Sequence, residues 1–151
     1  MKREATGMTS IIDTAASNTD VVKAFFAATY AAEYDRAFAD YARPEFTWTV
    51  SSADERLRAA IPWAGYPHVG RDGYINLTKM LFSEFEPLSF ETERYFDAGD
   101  AVFAQGHFVF RHRVTGKIAE TDWLARFDMR DRRIAGGQFY ENTYAVATAR
   151  S

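Results

Sequence analysis

The sequence predicts an α+β domain with its helices first and an antiparallel meander second. Two observations carry this. Upstream of Pro87 the apolar residues recur at helical spacing, interrupted by one strand-like stretch; downstream they fall into long strand-like runs joined by short turns. Short turns between neighbouring strands imply antiparallel pairing, because a parallel pair needs a long crossover.

The elements follow in order. A helix is expected to begin near Thr19-Asp20, whose side chains suit a helix start, with Val22, Phe25, Phe26 and Thr29 on one face. A second helical run holds Tyr34, Ala37, Phe38 and Tyr41 and stops at Arg43-Pro44, since a residue before proline disfavours the helical region. Phe46, Trp48 and Val50 then alternate with polar neighbours, the period of a half-buried strand. Residues 52–70 read as a long irregular loop, a length typical of lids and binding loops. Asp72 can cap a third helix carrying Tyr74, Leu77, Thr78 and Leu81. Strands are expected at 88–96, 101–114, 117–129 and 133–145. The expected organisation is one domain over residues 18–147, a flexible arm at 1–17 with translation starting at Met1 or Met8, and a tail at 148–151.

Composition narrows the function classes. The 151 residues are 47% hydrophobic, enough for a core, and the 13 Phe, 8 Tyr and 3 Trp exclude a disordered chain. A net charge of −3 with no basic block argues against nucleic-acid backbone binding. No apolar run approaches the roughly 20 residues of a membrane span. The absence of cysteine excludes disulfides and thiolate chemistry and fits a cytoplasmic location. No GxGxxG or Walker-type loop is present.

The stretch from Ile61 to Gly73 (IPWAGYPHVGRDG), the turns Asp97-Ala98-Gly99-Asp100 and Thr115-Gly116-Lys117, the pair Asp122-Trp123 and the ending Tyr140-Glu141-Asn142-Thr143-Tyr144-Ala145 together resemble SnoaL-like proteins of the nuclear transport factor 2 superfamily. The resemblance covers about residues 18 to 147. It implies a strongly curved, mainly antiparallel sheet wrapped by helices into a cone around an apolar pocket, with homodimerisation through the outer sheet face. It also implies an apolar, possibly polycyclic small-molecule ligand and, in members that are enzymes, cofactor-independent isomerase, cyclase, dehydratase or epoxide-hydrolase chemistry. The motifs of such enzymes are incompletely matched. Val50 or Ser51 stands where a ketosteroid isomerase carries its base, and the cyclase acid/base aspartate corresponds to Asn142, whose amide cannot exchange a proton.

Three side chains are the candidate catalysts. Asp122 lies in an otherwise apolar strand, where a carboxylate is expensive unless paired. Facing a cavity it would be suited to proton transfer; the alternative is that strand alternation turns it outward and leaves Trp123 lining the pocket. His68, from the long loop, and Tyr140 are the assisting groups, although a loop histidine can equally be solvated. Trp48, Trp63, Tyr66, Trp123 and Asn142 are the candidate substrate contacts, with ordinary core packing as the alternative for any single ring. His107 and His112, five apart on one strand, fall on opposite faces and cannot jointly hold a metal, so neither a metal nor a cofactor is expected. A non-catalytic ligand-binding module and a dimeric interaction domain are the competing functions.

Overall fold

The structure, a computed structural model, describes residues 16–151. The arm expected at 1–17 lies almost wholly outside these residues, but its last two belong to the fold. Ala16 is buried, and Ser17 caps helix α1 (Asn18–Tyr30): its hydroxyl accepts from the Asp20 backbone N–H while the Asp20 carboxylate accepts from the Ser17 N–H. The cap therefore sits two residues earlier than expected, and Asp20 is its reciprocal partner. Helix α2 (Tyr34–Tyr41) follows, then strand β1 (Ala42–Val50), a single 3₁₀ turn (Glu55–Ala59), the short strand β2 (Pro67–Val69) and helix α3 (Gly70–Glu84). The expected loop at 52–70 thus contains a 3₁₀ turn and an edge strand.

The meander consists of β3 (Phe85–Asp97), β4 (Ala101–His112), β5 (Ile118–Arg130) and β6 (Arg133–Glu141). It is joined at its last turn by Asp131 and Arg132, both at positive φ, as a two-residue hairpin turn requires. The curved, unclosed six-stranded sheet runs β2-β1-β6-β5-β4-β3. Every neighbouring pair is antiparallel except β1 and β6, whose long intervening chain permits a parallel crossover.

The strand expected at 133–145 ends at Glu141, and Thr143–Arg150 form a helix, α4, capped by the Asn142 side chain. The expected tail at 148–151 is mostly the last turn of that helix. Ala149 is buried, and the Arg150 guanidinium meets Glu84 at 2.6 and 3.0 Å, fastening α4 to the end of α3.

Alternate residues of β4 and β5 are buried, the signature of one face on a core and one toward solvent. Against the inner face α1 buries Val21, Val22, Phe25 and Ala28, and Phe25 packs within 6.5 Å of the Phe38, Phe46, Tyr74 and Phe127 rings. Two glycines make this inner face possible. A Cβ at Gly106 would collide with the Glu91 carbonyl oxygen and the Trp123 ring, and one at Gly137 with the Arg126 carbonyl oxygen and the Trp48 ring. Each tryptophan lies across a notch that only glycine leaves open.

Candidate functional site

Between the sheet and helices α1, α3 and α4 lies a cavity of about 540 Å³. Its wall is mostly aromatic: Trp48, Trp63, Phe85, Phe108 and Phe110 are buried on it, and Phe90 and Phe139 flank them. Tyr30, Phe82, Pro87 and Arg113 are exposed and form the rim. A small polar group stands among the helices. The Tyr34 hydroxyl lies 3.5 Å from the Thr78 hydroxyl, which itself donates to the Ile75 carbonyl, and burial holds the Tyr74 phenol well above its usual range.

One wall residue stands apart chemically. β6 ends Phe139-Tyr140-Glu141, in–out–in, so the two-residue period that turns Phe139 inward turns Glu141 inward as well. Glu141 is the register partner of the inward-facing Trp123, and the chain turns immediately afterwards into α4. Its Oε2 is cut off from solvent and has no hydrogen-bond partner among the described residues. The residue as a whole is half-buried. Among the described residues no charged group compensates its charge, and desolvation pushes the Glu141 carboxyl up to about 8. At neutral pH it is therefore mostly the neutral acid, with a minor ionised fraction. A group poised in this way can give or take a proton without a large energetic penalty in either direction. Trp123 Nε1 is likewise buried without a partner.

The residues expected from sequence are scattered by the fold. Trp48 and Trp63 line the cavity. Trp123 is 2% exposed and stacks on two wall rings, Phe90 at 4.8 Å and Phe139 at 5.3 Å. Asp122 points the other way: its side chain is 89% exposed on the outer face, and its Oδ1 lies 2.9 Å from His107 Nδ1. With Glu120 on the other ring nitrogen at 2.8 Å, these carboxylates raise the His107 pKa, Asp122 most strongly. Asp122 therefore does not reach the cavity, and the alternation that buries Trp123 is the reason. Tyr140 is also outside, its hydroxyl accepting from Arg126 Nη1 at 3.1 Å.

His68 and Tyr66 lie on the linker and not on the cavity wall. His68 is buried in β2 opposite Trp48, donating from Nε2 to the Trp63 carbonyl at 2.8 Å, and its burial lowers its pKa. Tyr66 donates to the Pro62 carbonyl at 3.1 Å beneath the Arg58 guanidinium. Together they position Trp63. Asn142 accepts from the Ala145 N–H as the cap of α4. Among the described residues no group of three or more His, Asp or Glu is arranged to hold a metal ion.

A family model described as the SnoaL-like domain matches residues 22–136. The chain belongs to the SnoaL-like family. The match stops short of Glu141, so the family assignment does not depend on that residue. No curated protein matches the chain. Solved structures agree with the SnoaL-like fold. An NTF2-like protein from Burkholderia thailandensis superposes with a TM-score of 0.76 at 23% identity, over 90% of this chain and 98% of that one. TerC, co-crystallised with polyporic acid, gives 0.71 at 15% identity, over 87% and 96%. IdmH from Streptomyces antibioticus, a candidate polyketide cyclase, gives 0.66 at 14% identity, over 89% and 98%. At such identities these likenesses speak for the fold alone. Among the described residues no helix of this SnoaL-like domain is long and apolar enough to cross a membrane.

Proposed function

We propose that this SnoaL-like domain binds an apolar, ring-bearing small molecule in its aromatic cavity, and that Glu141 transfers a proton to or from it without a cofactor. The observation that carries the reading is Glu141, half-buried in the wall of that cavity with its Oε2 shut off from solvent and unpartnered among the described residues. An orphaned buried acid is costly to folding, and such groups concentrate at sites of chemistry. The flat rings of Trp48, Phe90 and Phe139 would hold a planar ligand against the acid, and the small-molecule complex of TerC supports a ligand of this kind. This role replaces those expected of Asp122, His68 and Tyr140. It also accounts for Asn142: the proton-transfer group is the residue before it. Pairing of two copies through the outer sheet face, where Phe96, Leu124 and Tyr140 are partly exposed, belongs to the same proposal.

The test begins with a thermal-shift screen of polycyclic phenols, enones and quinones, followed by analysis of the recovered compounds. A stabilising ligand should be converted by the native protein, with Glu141→Gln lowering turnover at least a hundredfold while still binding it. A ligand returned unchanged after long incubation would instead identify a binding module. Full turnover by Glu141→Gln would remove Glu141 from the mechanism.

A further inference from the structure

Among the described residues the cavity is bordered by one carboxyl, Glu141, and one guanidinium, Arg113, and they stand at different depths. Glu141 is inside; Arg113 is exposed at the rim, one residue beyond the end of β4. In the sheet register Glu141 is level with Trp123 and hence with Gly106. Arg113 lies seven residues farther along the chain from Gly106, about 23 Å of extended backbone at about 3.3 Å per residue. The two groups therefore address different ends of whatever fills the cavity.

The Arg113 side chain is fixed on one side and free on the other. Its backbone N–H donates to the Glu84 carbonyl at 2.7 Å, and its Nε donates to the Phe82 carbonyl at 2.9 Å. Nη1 and Nη2 make no hydrogen bond, and the guanidinium meets no carboxylate, among the described residues. The neighbouring acid is unavailable, because Glu84 is already shared by Arg150 and His112. Arg126 pairs with Asp128, Arg71 with Asp35 and Asp72, and Arg58 lies over the Tyr66 ring; Arg132 and Arg133, like Arg113, meet backbone carbonyls and no carboxylate among the described residues, but Arg113 alone of these borders the cavity. A guanidinium held at Nε with its outer nitrogens unpaired presents donors for an incoming anion, and its planar geometry matches a carboxylate.

We infer that the cavity selects ring-bearing carboxylates, with Arg113 holding the anionic group at the rim and the aromatic wall holding the body. Arg113 is thus a specificity-determining residue. The inference rests on the proposal that the cavity binds a small molecule. Its polarity follows from the placement: the negative charge of the ligand stays at the solvent-facing cation, while the buried end, which meets the uncompensated Glu141, is uncharged.

The test is a calorimetric titration of the whole chain at pH 7 with 2-naphthoate and with 2-acetylnaphthalene, a neutral molecule of nearly the same shape. The native protein should bind the carboxylate about tenfold more tightly. That preference should shrink in 0.5 M salt, because the rim is solvent-exposed and its charge is screened. Arg113→Gln should abolish the preference and leave the affinity for 2-acetylnaphthalene unchanged, while Arg113→Lys, which keeps the charge without the fork, should retain part of it. Equal affinities in the native protein, or a preference surviving in Arg113→Gln, would overturn the inference while leaving the cavity reading intact. Failure of both probes to bind at millimolar concentration would overturn the cavity reading and this inference together.

Discussion

Glu141→Gln is expected to remove a falling limb from the pH–stability curve. In the unfolded chain this carboxyl titrates near its ordinary 4.5, and in the folded chain near about 8. Below pH 4.5 both states carry the proton, and the group's contribution is fully present. Between 4.5 and 8 the unfolded chain has released the proton and the folded chain has kept it, so stability declines as pH rises. Above 8 both are ionised and the decline ends. The integrated loss is at most about 5 kcal/mol, a large fraction of the stability of a domain this size. Glutamine is neutral throughout and lacks this limb. The variant should melt close to the native protein at pH 4 and up to about 10–20 °C above it at pH 9. Other titrations act in both proteins and cancel in the difference: Glu84, with its pKa lowered by Arg150, loses its contribution as pH falls, and His107, with its pKa raised, loses its contribution as pH rises. Parallel curves for variant and native protein would show Glu141 to be ordinarily solvated.

The second large effect separates two adjacent residues. Trp123→Ala should lower stability by about 3–5 kcal/mol, because it removes a buried ring stacked on Phe90 and Phe139 and leaves a void over Gly106. Thermal denaturation should show a fall on the order of 10 °C. Asp122→Asn, one residue away, should move the melting temperature by no more than about 2 °C, because its side chain stands in water. Its effect should appear instead at His107, whose pKa should fall in an NMR titration once its strongest carboxylate partner is gone. A large destabilisation by Asp122→Asn, or tolerance of Trp123→Ala, would mean that the two faces of β5 are interchanged.

That pair also shows what could be read from the chain and what could not. Alternation along 118–130 was plain, and with it the strand, but a period of two leaves its phase open. The phase depends on distant features: the glycine notches at 106 and 137 that admit the indoles, and the helices that cover one face. The long meander and the helices opposite it were legible because their periodicities extend over a dozen residues. The last helix was not. Tyr144 and Val146 continue the alternation of β6, and only the capping geometry of Asn142, a short polar residue followed by helix-compatible residues, marks the break. Glu141 escaped for a related reason. A glutamate beside an asparagine at the end of a strand reads as a solvated turn, and it is the return of α4 over the cavity that encloses it. The usable signal was Phe139, which shares its face. The surplus of aromatic residues pointed to a cavity wall, and much of it lies there, although Tyr66 and Tyr140 serve the linker and the outer face instead.

The proposed chemistry depends on one group held neutral in an apolar wall. Its most direct test is a carbon-13 NMR titration of the Glu141 side-chain carboxyl, assigned by comparison with Glu141→Gln. A midpoint near 8 is the predicted result. A midpoint between 4 and 5, the ordinary glutamate range, would contradict it.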